Sequence, residues 1–202
     1  MEQNVSRRQR EREQHRSEIL DAALSLFAEN GYDNVSVSQI AEKAEFGTGT
    51  LYNFFDSKEA LFTELARTYI SEGRKKLFQA LDSGGTATDK LRAFITAKGD
   101  FVRDNVKFVR LYMHDLRNPA LYALQKEVMQ AIGDVVSGLE QVFRQGIEQG
   151  IFKQVDPRTL AVSFNGISSI FIFDSIHFSK QFDYLYKIDE IMELFLRGAL
   201  LQ

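Results

Sequence analysis

The sequence of 202 residues predicts an all-α protein, a small three-helix N-terminal head followed by a larger helical body. Three observations carry this. Apolar residues recur at three- and four-residue spacing in nearly every segment. Several helix starts are written out as caps, and glycines stand where helices stop. The run Ile170-Phe171-Ile172-Phe173 alone resembles a buried strand, but Leu160, Phe164, Ile167 and Phe171 keep helical spacing across a segment too long for one.

In chain order, Ile19, Ala23, Leu24 and Phe27 mark a helix over residues 17–30, with Gly31 just past its end. Its start is expected earlier, within the cluster Arg7, Arg8, Arg10, Arg12 and Arg16. Next comes Val35 to Leu61, which holds three helix starts. Ser36 and Gln39 have capping-box spacing, with Val35 and Ile40 as a hydrophobic staple, so a helix begins at Val37. Gly47 is a tolerated N-cap and Phe46 with Leu51 repeats the staple, giving a second helix from Thr48 to about Phe54. Asp56 or Ser57 caps a third helix that begins at about Lys58 and runs toward Leu81, leaving the head and entering the body.

Thr48, Gly49 and Thr50 set two hydroxyls and an open backbone at a helix N-terminus, where free N-H groups and the dipole favour a phosphate. Tyr52, Asn53 and Lys58 follow on the same surface. A helix-turn-helix uses this arrangement, its second helix entering the major groove N-terminus first. It needs small residues where its helices cross, and Ala41 and Ala44 stand there.

The run A-E-F-G-T-G-T-L-Y-N-F-F-D-S-K-E-A-L, Ala44 to Leu61, resembles the DNA-binding signature of the TetR family of bacterial transcriptional regulators, A-G-V-S-x-G-T-L-Y-x-Y-F-x-S-K-E-x-L. The residues from Ser36 through Ile40, Ala41 and Ala44 match upstream. This chain departs from the pattern at the turn: Glu45 replaces a glycine, Phe46 a small aliphatic residue and Gly47 a capping serine. The resemblance implies a ligand-responsive regulator, most often a repressor, that binds a two-fold symmetric operator in double-stranded DNA as a homodimer. Residues 1–60 are then the DNA-binding domain and 61–202 the effector-binding and dimerisation domain. Thr48, Gly49 and Asn53 are the candidates for groove contacts, and Ser36, Ser38, Thr50, Tyr52 and Lys58 for phosphates.

Charge argues against bulk electrostatics as the source of affinity. The whole chain carries -3, and residues 1–60 hold seven Lys or Arg against eleven Asp or Glu. The N-terminal arginines form either a solvated, frayed end or a phosphate-contacting arm. Binding is expected to depend on helix N-termini, hydroxyls and paired half-sites.

In the body, Asp82 to Gly85 breaks the long helix, and Thr86 with Asp89 restarts one carrying Leu91, Phe94, Ile95, Phe101 and Val102. A helix with Phe108, Leu111 and Tyr112 follows, then Asn118-Pro119. A helix from about Ala120 to Gln149 comes next, and then one from Asp156-Pro157 to about Phe178. The last runs from Ile188 to Leu200. Ser163, Gly166 and Ile170 form a small-residue face, and the last two helices are apolar on more than one side. In the resembled family such a pair joins its copy in a four-helix bundle, so Ser163, Gly166, Ile170, Ile191 and Phe195 are the expected dimer interface.

Thirteen of seventeen phenylalanines lie after residue 60. They serve as core, or line a pocket for a lipophilic or aromatic effector, with Phe101, Tyr112, Met113, Phe143 and Phe171 as candidate lining. No enzyme chemistry is apparent. Cysteine is absent, and the pairs His114-Asp115 and Asp174-His177 match no ligand or triad pattern. Asp100 and Asp104 are read as a solvated face, and Gly47-x-Gly49 lacks the rest of a dinucleotide fingerprint. No metal or cofactor is expected. The N-terminus lacks the apolar core of a secretory signal, and no apolar run approaches the roughly 20 residues of a membrane span, so a cytoplasmic location is expected. The alternatives are a helical lipid- or small-molecule-binding protein or enzyme that does not bind DNA, and a dimeric protein-binding scaffold.

Overall fold

The computed structural model describes residues 6–114, 124–179 and 182–199. The side chains of His114 and Ala199 lie outside the description. So do Asp115, the Asn118-Pro119 punctuation, the helix start expected at Ala120, Tyr122 and Leu200. The described residues form α1 (Arg7–Asn30), α2 (Val37–Lys43), α3 (Thr48–Tyr52), α4 (Lys58–Leu81), α5 (Ala87–Asp104) and α6 (Val106–His114). After these come α7 (Gln125–Glu148), α8 (Pro157–His177), a 3-10 turn (Tyr184–Lys187) and α9 (Ile188–Ala199).

Two compact units result: Met1–Tyr69 with Lys107–Gln125, and Ile70–Val106 with Lys126–Gln202. Helix α4 contributes to both, its turns through Tyr69 to the first and the remainder to the second. The sequence set the head apart at residue 60. In the structure, the first unit also takes in the rest of those α4 turns and α6, because Phe108 stacks on Tyr69 with ring centres 4.2 Å apart and Phe108 and Leu111 are buried in the head core. That core is Ile19, Ala23 and Phe27 of α1, Ile40 and Ala41 of α2, Leu51 of α3 and Leu61, Phe62 and Leu65 of α4. Each fully buried phenylalanine or leucine there removes enough apolar surface to contribute about 1.5–3 kcal/mol, which is what lets two very short helices hold their place.

The caps follow the sequence closely. Ser36 accepts from the Gln39 N-H while the Gln39 side chain accepts from the Ser36 N-H, a complete capping box. Thr86 and Asp89 form a second. Of the two candidates before α4, Ser57 is the cap, accepting from Ala60 N at 3.0 Å. Helix α1 starts at Arg7, where Ser6 accepts from Gln9 N at 3.2 Å. Asp156 accepts from Thr159 N at 2.8 Å, with Pro157 as the first helical residue.

The second unit is centred on aromatic side chains. Phe164 lies 4.9 Å from Phe195, and Phe143 is 5.2 Å from Phe152 and 5.7 Å from Phe195, between ring centres. Helix α8, with 21 residues, is long and apolar enough by length and composition to cross a membrane, which the sequence reading had excluded. Its inner side, Leu160, Ala161, Phe164, Ser168, Ile172, Ser175 and Ile176, is buried in this unit. Its outer side still exposes Val162, Ile170 and Phe173. A helix apolar on both sides is one that packs on two sides.

Candidate nucleic-acid interface and effector-binding unit

Ala41 is buried and Ala44 half-buried in the head, as the crossing of α2 with the turn requires. The turn itself is a Schellman motif: Phe46 N-H donates to Ala41 O at 2.9 Å and Glu45 N-H to Glu42 O at 3.0 Å. The residue after the cap in that motif is left-handed, and Glu45 sits there with φ 61. This explains the glycine that the family pattern carries, and it means that Glu45 holds a conformation costing a side chain roughly 1–2 kcal/mol.

Buried Leu51 and Phe55 pin α3 from below, and Thr48, Gly49, Thr50, Tyr52 and Asn53 are all left exposed. Gly47 offers no side-chain cap, so no side chain of the N-cap competes for the first N-H groups of α3. Ser36 and Ser38 are exposed at the start of α2, although the Ser36 hydroxyl already serves its capping box. The helix is shorter than expected, ending at Tyr52 rather than Phe54.

Lys58 departs from expectation. Its ammonium donates to the carbonyls of Tyr32 and Val35, both at 2.9 Å, and lies 4.3 Å from the Tyr32 ring centre. With two of its donors on backbone oxygens and its charge over a ring, it fastens the loop before α2 to α4. The arginine cluster divides. Arg16 makes a two-bonded ion pair with Glu64 and donates to Phe54 O at 3.3 Å, and Arg12 reaches Asn53 O at 3.5 Å, so both brace the end of α3. Arg7 pairs with Glu11, while Arg8 and Arg10 are exposed on the first turns of α1.

The residues expected around an effector fall two in the first unit and three in the second. Tyr112 and Met113 belong to the first unit, Tyr112 beside Phe108. Phe143 is fully buried as core in the second. There Phe101 is half-buried against Gly73, and Phe171 is half-buried with the Lys187 ammonium 5.9 Å from its ring centre. The expected dimer residues split by helix face. Ser163, Gly166 and Ile170 are exposed. Ile191 and Phe195 are buried within this chain, because the apolar side of α9 turns to Phe143 and Phe164, and Leu194 is exposed.

A polar group that the sequence reading did not single out lies inside the second unit. Lys98 of α5 donates to Asn165 Oδ1 at 2.9 Å, Ser168 Oγ at 2.9 Å and Ser169 Oγ at 2.8 Å. Burial pulls its ammonium down to about 7. Its signal in the sequence is a lysine at helical spacing among Leu91, Phe94, Ile95 and Val102.

Comparison with known proteins agrees with this architecture. Residues 19–65 match the family model for bacterial regulatory proteins of the tetR family, and residues 88–192 match that for the tetracyclin repressor-like C-terminal domain. The fatty acid metabolism regulator protein of Bacillus subtilis (strain 168) is 24% identical over 186 residues, 90% of this chain and 93% of its own. From the same organism, the uncharacterized HTH-type transcriptional regulator YhgD is 26% identical over 156 residues, 77% of this chain and 81% of its own. The solved structure of the transcriptional regulator FadR from Bacillus subtilis in complex with stearoyl-CoA superposes with a TM-score of 0.75 at 23% identity, covering 90% of this chain and 98% of that one. With one model on the helix-turn-helix head and the other over more than half of the chain, this protein belongs to the tetR family of bacterial regulatory proteins and is a transcriptional regulator, not an enzyme.

Proposed function

We propose that the chain acts in the cytoplasm as a homodimeric repressor that holds a two-fold symmetric operator and releases it when a lipophilic effector, an acyl compound, enters the second unit. The observation that carries this reading is α3, whose Leu51 is buried while Thr48, Gly49, Thr50, Tyr52 and Asn53 stand exposed around an uncapped N-terminus. Thr48, Gly49 and Asn53 read base edges, and Thr50, Tyr52, Ser36 and Ser38 position the head on phosphates. Lys58 supports the fold of the head.

The acyl class is supported by the fatty acid metabolism regulator protein, whose similarity spans both units. The exposed stripe Val162, Ser163, Gly166 and Ile170 on α8 supports the dimer. Release follows from linkage: an effector that prefers one conformation of the second unit shifts the population away from the DNA-competent one. Helix α4, shared by both units, is the covalent route.

The test is an electrophoretic shift with DNA from upstream of the protein's own gene, with and without acyl compounds. Wild type is expected to shift it, and Tyr52→Ala and Thr50→Val to weaken the shift. A wild type that leaves this DNA unshifted, or variants that bind as tightly as wild type, overturns the reading of α3.

A further inference from the structure

We propose that Lys98, Ser168, Ser169 and Tyr184 receive the carboxylate of an amphipathic organic acid inside the second unit. The inference rests on reading that unit as the effector-binding part and names the polar end of its site.

The Lys98 ammonium is surrounded by neutral oxygens. It donates to Asn165 Oδ1, Ser168 Oγ and Ser169 Oγ, all within 2.9 Å, and its nitrogen lies 5.7 Å from the Phe94 ring centre. Among the described residues no carboxylate forms an ion pair with it. A buried charge held only by dipoles is uncommon because desolvation is not repaid. Ser168, fully buried, spends its own proton on the Asn165 carbonyl at 2.9 Å.

Tyr184 supplies an independent sign. Its side chain is fully buried and its hydroxyl has no hydrogen-bond partner. Burial raises its pKa against a lowering by the Ser168 hydroxyl, which lies near the phenol without meeting hydrogen-bond geometry. The ring is held there by Gly99, the residue after Lys98, where a Cβ would come 2.5 Å from Tyr184 Cδ1. A glycine at this point of α5 lets the ring lie against the helix backbone.

An unpaired phenolic donor and an ammonium without a counter-charge therefore converge on Ser168, and an acceptor carrying one negative charge completes both. A carboxylate fits: one oxygen accepts from Tyr184, the other takes the Lys98 hydrogen bond now given to the exposed Ser169 hydroxyl, and its single charge balances the single ammonium. The surroundings, Phe94 and Phe164, are apolar and suit a hydrocarbon body.

The experiment is calorimetric titration of delipidated full-length protein with palmitate, methyl palmitate and palmitoyl-CoA, alongside operator release by each. Palmitate is expected to bind at least about tenfold more tightly than its methyl ester, the loss of one charge-assisted contact. Lys98→Met and Tyr184→Phe are expected to erase that preference by weakening palmitate far more than its ester, and Lys98→Arg to retain part of it. Tyr184→Phe removes only an unpartnered oxygen and keeps the test sound if Lys98→Met fails to fold. Equal binding of acid and ester by wild type, or undiminished palmitate binding by Lys98→Met, overturns the proposal. If palmitoyl-CoA alone binds and releases operator DNA, the effector reading stands and the carboxylate site falls. If none of the three binds, both fall.

Discussion

The ammonium of Lys58, the first residue of α4, sits 2.9 Å from the carbonyl oxygen of Tyr32 and 4.3 Å from the centre of the same residue's ring. Together with its bond to Val35 O, this ties α4 to the loop that presents α2. Lys58→Met is therefore expected to lower the unfolding free energy by about 1.5–3 kcal/mol, the range for a charge-assisted hydrogen bond. Operator affinity should fall only as far as the head unfolds, and the dependence of log K on log salt should keep its wild-type slope. A slope smaller by about one for each lost phosphate contact would place Lys58 on the DNA instead.

Glu45 combines a strained backbone with an unhelpful charge beside α3. Glu45→Gly should stabilise the head by roughly 1 kcal/mol, because φ 61 costs glycine nothing. It should also tighten operator binding. Glu45→Gln separates the causes, keeping the strain and removing the charge. Thermal denaturation should leave Glu45→Gln near wild type, while its affinity rises with that of Glu45→Gly. If Glu45→Gly melts below wild type, the strain argument fails.

What could be read in advance was local. The boxes Ser36-Gln39 and Thr86-Asp89 and the start at Asp156-Pro157 lie within four residues and formed as written. The start of α1 within the arginine cluster is legible, but not its first residue, because residues 7–16 are polar and give no periodicity, although Ser6 and Gln9 repeat the spacing of Ser36 and Gln39. The bracing role of Lys58 is not legible in the sequence, because its partners lie 23 and 26 residues upstream and backbone carbonyls leave no mark there. The burial of Ile191 and Phe195 inside the chain is not legible, because spacing shows that a helix has an apolar side without showing which neighbour takes it. Lys98 was passed over for the same reason: its oxygens come from a helix some 70 residues later.

Gly166 gives a sharp test of the dimer. A side chain built there meets nothing within 4 Å in its own subunit. Gly166→Leu should therefore leave an isolated subunit unharmed, or stabilise it by up to about 1 kcal/mol through helix propensity. If copies of α8 pack closely through this small-residue face, the same leucine holds them apart. Sedimentation should show the variant dissociating at concentrations where wild type is dimeric, with loss of tight operator binding. A dimer as strong as wild type would remove the stripe Ser163, Gly166 and Ile170 from the interface.

Lys98 should leave a signature in stability against pH. Burial lowers its folded pKa to about 7, against 10.5 for a free lysine side chain. Below about pH 7 both states carry the proton, and the desolvation penalty is fully present. Between about 7 and 10.5 the unfolded chain holds the proton and the folded one does not, so this group's contribution makes stability rise with pH across that window. The oxygens around the ammonium, from Asn165, Ser168 and Ser169, are neutral, and among the described charged residues of its own helix Asp100 and Asp104 are engaged by Arg103. Chemical denaturation of wild type and Lys98→Met at pH 6, 7, 8 and 9 isolates the effect. The difference between them should favour Lys98→Met most at pH 6 and shrink as the pH rises. A difference that stays constant over this range would mean that Lys98 keeps its proton throughout, its charge balanced by a group other than these hydroxyls and the amide.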